Sequence, residues 1–405
     1  MRTIILMMLM AGELPAQVAV RAAKLYTMTG DLKPLENGVV LCGADGKIER
    51  VGLASEVAIP AGWTVHEAAV AIPGLVDARA TAGISGILNW DQRDQEQFEN
   101  SGPLQPELRA IDAYNGRDPL VQWLREFGVT TIHTGHASGE LISGQTMVVK
   151  TDVASVVKAG DALRAFAGVA VTLGEGALKK EGKSPGTRAK SVALLRAELI
   201  RAKAYMEKLA RSEADKQPER DLRMESLVAV LRGEVPLLVT ADRHQDLGAA
   251  LRLREEFGFR LILDSAADAW RMLPEIREAG VPVILHATMG RPAGSRENLS
   301  FGTAAKLFEA GIPFALQSGY ESYVPKTRVV LFEAGMAAAH GLPREQALAA
   351  CTVRAAEILG LGDRVGSLAA GRDADVAMYD GDPLETTTHC IRVLVGGRVV
   401  SDVKR

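Results

Sequence analysis

Six side chains in this sequence are of types that can hold a metal or move a proton, and each stands where an apolar stretch ends. Glu175 follows GVAVTLG, Asp242 ends PLLVTAD, Asp264 lies in RLILDS and His286 in VPVILHA, while His133 and His136 belong to GVTTIHTGH. Carboxylates and imidazoles gathered at one mouth can bind zinc or serve as general acid and base. A set drawn from Glu175, His136, Asp242 and His286 is chemically reasonable for zinc. The plainer reading is that these are polar residues at a strand mouth, hydrogen-bonded or solvated, because spacing alone does not bring side chains together. His66, His340 and His389 fall in sheet or helix contexts and read as structural.

Other chemistries lack their motifs. The stretch GEGALKKEGKS (174–184) invites a phosphate-loop reading, but Ala177 stands where that loop needs glycine, so it reads as a basic surface loop. No Gly-x-Ser-x-Gly elbow supports serine hydrolysis. Cys42, Cys351 and Cys390 are too scattered for a disulfide framework or a cysteine zinc site, and none has a histidine at a diagnostic spacing.

The elements that must position these residues alternate. Apolar strands are predicted at IPGLVDA, GVTTIHT, GVAVTLG, PLLVTAD, RLILDS, VPVILHA and IPFALQS, with TMVVKT (146–151) as a candidate eighth. Helical stretches separate them, among them DPLVQWLREF, RAKSVALLRAELIRAKAYMEKLA and QDLGAALRLREEF. Strands that are apolar throughout, alternating with helices, imply a parallel sheet covered on both faces. Residues 72–364 fit a (β/α)8 TIM-like barrel, which typically takes about 250 residues. A doubly wound open sheet is the alternative, without the Gly-rich fingerprint after its first strand. Short strands with Gly and Asp-Gly turns mark both ends, so residues 17–71 and 365–405 are expected to form a composite β-sandwich domain.

A formal net charge of −3 gives no electrostatic reason to expect nucleic acid or an anionic membrane as partner. At the N-terminus, Met1-Arg2, the apolar run IILMMLMA (4–11) and the small residues beyond it predict a signal peptide over residues 1–16, cut after Ala16 or Ala19. That places the mature protein in the periplasm or outside the cell. If the run is instead a buried first strand, the protein stays cytoplasmic. It is too short for a membrane span, which takes about 20 apolar residues.

Two segments resemble one family. IPGLVDARAT (72–81) is similar to the first barrel strand of the amidohydrolase superfamily, normally Pro-Gly-Leu-Ile-Asp-x-His-x-His. TVRAAEILGLGDRVGSLAAGRDADVAMYDGDPLE (352–385) resembles the family's return from barrel to small sheet domain, with tight turns at Gly366, Gly371 and Asp373. The likeness covers nearly the whole mature chain and is closest to the imidazolonepropionase-like branch, whose members hydrolyse cyclic or linear C–N bonds. In that branch a Thr-Arg pair occurs where Thr187-Arg188 stands, which makes Arg188 a candidate carboxylate contact; a solvated or salt-bridged role is the better reading.

The resemblance implies one or two divalent ions at the barrel mouth. Such an ion lowers the pKa of bound water from about 15.7 to about 7, removing on the order of 12 kcal/mol of deprotonation cost. The family's two first-strand histidines fall here on Arg79 and Thr81, its later histidines on Thr240 and Ser265, and its final aspartate near Gly319. Glu175 alone keeps a ligand-type side chain. The expectation is a degenerate amidohydrolase with no metal cofactor, holding a small polar molecule with Arg79 as an anion contact, or pairing with an intact amidohydrolase relative. The alternative is an active C–N hydrolase with a rebuilt or metal-free site, using Glu175, Asp242 and His286 and a zinc-like ion if any. A purely structural interaction protein is a third class. Homo-oligomerisation is open under all three.

Overall fold

The computed structural model describes residues 17–85, 96–180, 182–211, 217–286, 292–319 and 329–405. The expected signal peptide, residues 1–16, lies outside them. Among the described residues, fifteen strands form two sheets. They are β1 (Val18–Leu25), β2 (Leu35–Cys42), β3 (Ile48–Leu53), β4 (Thr64–Pro73), β5 (Leu75–Ala80), β6 (Val129–Thr134), β7 (Ile142–Lys150) and β8 (Arg164–Thr172). After these come β9 (Leu237–Ala241), β10 (Leu261–Ser265), β11 (Val283–Leu285), β12 (Phe314–Leu316), β13 (Val376–Tyr379), β14 (Cys390–Val395) and β15 (Arg398–Ser401).

The small sheet runs in the order β15-β14-β13-β4-β1-β2-β3, so both ends of the chain share it through the antiparallel pair β13–β4. Alternation along β1 explains its apolar run. Val18, Val20 and Ala22 join one buried cluster, while Ala19 joins Val39, Leu41 and Val57 in another.

Strands β5 to β12 lie side by side in chain order, and a parallel bridge between Ala80 and Gly319 brings the two edges together. The sheet is therefore a barrel and not an open doubly wound sheet. It departs from an all-parallel barrel at β7, which runs antiparallel to both β6 and β8. The cause is local: residues 135–141 are too few for a parallel crossover, which takes about a dozen or more. TMVVKT thus belongs to a barrel strand, but one that runs against its neighbours.

Inside the barrel, Leu238, Ile262, Ile284 and Ala315 join Val76 and Ala78 in one apolar cluster with Ala355 and Ala356 of the helix Val353–Ile358. Side chains two residues on share a face, so Thr240, Asp264, His286 and Gln317 make the next layer toward the strands' C-terminal ends. The sequence thus switches from apolar to polar one layer below the mouth.

Helix ends follow their capping residues. Asp118 accepts from Leu120 N at 2.7 Å, with Pro119 at the first position of Pro119–Glu126. Asp221 caps Leu222–Leu231 in the same way. Among the described residues no helix is long and apolar enough to cross a membrane.

One buried ion cluster ties the two sheets. Lys150, at the end of β7, reaches Asp373 at 2.8 Å and Asp375 at 3.0 Å in the segment entering β13. Lys47 and Arg364 also pair with Asp373. Burial pushes the Lys150 ammonium toward deprotonation, but Asp375 and Asp373 outweigh it and its pKa is raised.

Candidate functional site

The C-terminal ends of the barrel strands surround a pocket of about 220 Å³. Arg79, Thr81, Thr240, Ser265 and Gly319 all line it, as do Glu175, Asp242, Asp264 and His286. Strand register therefore gathers the positions that the sequence aligned with the family's ligands.

Arg79 is only 5% exposed. Its Nη1 donates to Ala80 O at 3.1 Å and its Nη2 to the carbonyl of His136. Two main-chain acceptors thus hold the guanidinium plane. Burial lowers its pKa, while Asp264 and Asp77 favour its charge. A guanidinium stays protonated in a protein interior, so a fixed positive charge faces the pocket. Asp77, wholly buried on β5, accepts from Arg79 N at 3.3 Å and Ser318 N at 3.0 Å, and burial pushes its pKa up to about 6.

The pocket's carboxylates are already engaged. Thr240 Oγ1 donates to Asp264 Oδ2, and Gln317 Nε2 donates to Asp264 Oδ1 at 2.7 Å. Burial raises the Asp264 pKa, against the lowering effects of Arg79, Thr240 and Gln317. Asp242 Oδ1 accepts from Ser265 Oγ at 2.6 Å and Ala267 N at 3.4 Å; its Oδ2 accepts from Ser295 Oγ at 3.2 Å. Hydroxyls at two of the family's histidine positions therefore serve as donors to neighbouring carboxylates. Thr81 shares a hydrogen bond with Ser85 at 2.8 Å, and Gly319 N donates to Arg79 O at 3.2 Å.

Glu175 opens the short turn Glu175–Ala177 after Gly174, whose φ is +90°. A Cβ on Gly174 would lie 2.2 Å from Asp246 Oδ2, so only glycine fits there. The Glu175 side chain is 45% exposed and faces Arg188 at 3.4 Å and Arg243 at 3.9 Å. Arg188 directs its Nε to both oxygens of Asp246, at 2.9 and 3.2 Å, and is not among the residues lining the pocket. The candidate ligand contact at Arg188 is thus an ion-pair residue, because Asp246 and Glu175 take up its charge.

Two histidines stand apart from the pocket chemistry. His133 Nδ1 donates to Ala78 O at 2.7 Å and its Nε2 meets Thr146 Oγ1 at 2.7 Å. Burial first and Arg79 second push its pKa down to about 3, so the ring is neutral. His136 supplies its carbonyl to Arg79, and burial and Arg79 push its ring down to about 4. His136 does not line the pocket, so the set Glu175, His136, Asp242 and His286 is not assembled as one site.

Among the described residues no three of His, Cys, Asp and Glu converge closely enough to hold a divalent ion. The donor set gives the reason: Asp242 and Asp264 already accept hydrogen bonds, Glu175 faces two arginines, and Arg79 brings a cation of its own.

The lining residues not singled out from sequence include Gln317, Ser295 and Arg296. Gln317 follows from the period of two that starts at Ala315. Ser295 and Arg296 lie on a short turn beyond β11, where no periodic signal exists. Ser265 and Ala266 also carry positive φ values of 68° and 54° without being glycine, a local backbone strain at the pocket wall.

Comparison with known proteins agrees with this architecture. A profile described as "Amidohydrolase family" matches residues 301–401. The amidohydrolase tasK of Hapsidospora irregularis is 27% identical over 365 residues, covering 81% of this chain and 36% of its own. An imidazolonepropionase of Syntrophobacter fumaroxidans is 31% identical over 149 residues, covering 36% of this chain and 33% of its own. The chain thus matches about a third of the length of these curated relatives. The crystal structure of an amidohydrolase from Thermotoga maritima superposes with a TM-score of 0.87 at 27% identity, over 95% of this chain and 100% of that one. The family profile, the curated relatives and the Thermotoga maritima structure together make this chain similar in sequence and fold to the amidohydrolase superfamily.

Proposed function

We propose that this protein uses the amidohydrolase barrel as a binding module for a small polar molecule, without a divalent ion and without the hydrolysis such an ion supports. One observation carries the reading: a buried guanidinium, Arg79, faces the pocket, and the hydroxyls of Thr240 and Ser265 are committed to Asp264 and Asp242. A divalent ion roughly 4 Å from a guanidinium would be repelled by on the order of 8 kcal/mol at an effective dielectric of about 20. The carboxylates that could counter this repulsion already have protein partners: Asp264 and Asp242 accept hydrogen bonds and Glu175 faces two arginines.

A second reading, metal-free hydrolysis of C–N bonds, is favoured by the 2.6 Å contact of Ser265 Oγ with Asp242 on a strained strand end. Assays against amides, lactams and dipeptides, in chelator and with added zinc or manganese, separate the two. No turnover under either condition is expected. Turnover that requires metal overturns the proposal, and turnover in chelator that is lost in Ser265→Ala establishes the second reading instead.

A further inference from the structure

We propose that the ligand group is a small oxyanion, a carboxylate or a phosphate, held between Arg79 and Arg296. This rests on the metal-free reading of the same pocket and follows from counting its donors and acceptors. Both oxygens of Asp264 and both of Asp242 accept hydrogen bonds from neighbouring protein groups, and Glu175 faces Arg188 and Arg243. The acceptors are therefore engaged.

The donors are not. Arg79 spends one N–H of Nη1 and one of Nη2 on main-chain carbonyls, and its Nε has no acceptor among the described residues. Arg296, half-buried at the end of the turn Gly294–Arg296, makes no side-chain hydrogen bond or ion pair among the described residues. A guanidinium pinned by two carbonyls has already lost its rotamer freedom, so a planar anion docks on it at little ordering cost. An ammonium would meet Arg79, and an apolar group would leave both guanidiniums unpaired.

Size narrows the class. At about 220 Å³ the pocket lies below the roughly 300–1,000 Å³ usual for drug-sized ligands. A compact anion of a few heavy atoms suits it better than a peptide or nucleotide.

The test is calorimetric titration of the full chain with acetate, pyruvate and inorganic phosphate, at ionic strength fixed with chloride, beside acetamide as the neutral counterpart of acetate. Saturable binding of at least one oxyanion is expected, with none for acetamide. The carboxylate and phosphate arms tell which source the pocket prefers. Arg296→Ala should weaken that binding by about tenfold or more, the worth of one charge-assisted contact. The melting temperature of the unliganded variant should stay unchanged, because Arg296 has no side-chain partner to lose among the described residues. Absence of saturation by every oxyanion, acetamide binding as well as acetate, or unaltered affinity in Arg296→Ala would each overturn the inference. Metal-dependent hydrolysis would instead sink the proposed function, so the two failures are distinguishable.

Discussion

Replacing Arg79 by methionine should cost about 3–5 kcal/mol of stability near pH 8, the loss seen when one partner of a buried charge set is removed. Arg79 is the cation that favours the charged forms of Asp264 and Asp77, both buried. Without it their pKa values rise further above the unfolded value of about 4. An acid with a raised folded pKa stabilises the fold when protonated, and that contribution is lost as pH rises through the folded value. Asp77 already titrates at about 6 in the folded protein. The deficit of Arg79→Met relative to the parent should therefore be smaller near pH 4, where Asp77 is protonated, and grow toward pH 8. Urea unfolding of both proteins at the two pH values measures this. A deficit that is equal at both pH values would mean that Arg79 contributes packing only.

The second large effect is expected at the joint between the sheets. Lys150→Met removes the ammonium that pairs with Asp373 at 2.8 Å and Asp375 at 3.0 Å. Asp373 keeps Lys47 and Arg364, but Asp375, 3% exposed, keeps only the main-chain N–H of Gly396 on its Oδ1. A buried carboxylate left this way costs about 3–5 kcal/mol. Asp375→Asn in the Lys150→Met background should restore part of that loss, because the uncompensated charge is gone. Thermal unfolding of the single and double variants checks it. If the double variant is no more stable than Lys150→Met, the ion cluster does not set the joint.

How much of this was legible in the sequence follows from the range of each signal. The barrel strands and the shared small sheet depend on local periodicity and chain order, whereas Arg79, Thr240, Ser265 and Gly319 could be placed together only through the resemblance to the amidohydrolase family. The direction of β7 could not be read from its apolar residues, since a buried strand looks the same either way; the short link 135–141 was the available clue. Partnerships across the fold were illegible for a different reason. Arg188 meets Asp246 from 58 residues away, and Asp242 meets Ser295 from 53, distances over which sequence carries no geometry. His136 contributes its carbonyl and not its ring, a role that residue type does not encode. Arg296 sits on a turn with no period at all.

The family's hydrolysis runs on a metal-bound water, and here the metal's neighbourhood holds a guanidinium with hydroxyls facing carboxylates. Metal analysis of protein purified without chelator tests that claim most directly. The account predicts far less than one equivalent of zinc, manganese or nickel per chain, unchanged in Glu175→Ala. Stoichiometric metal that disappears on Glu175→Ala would contradict it.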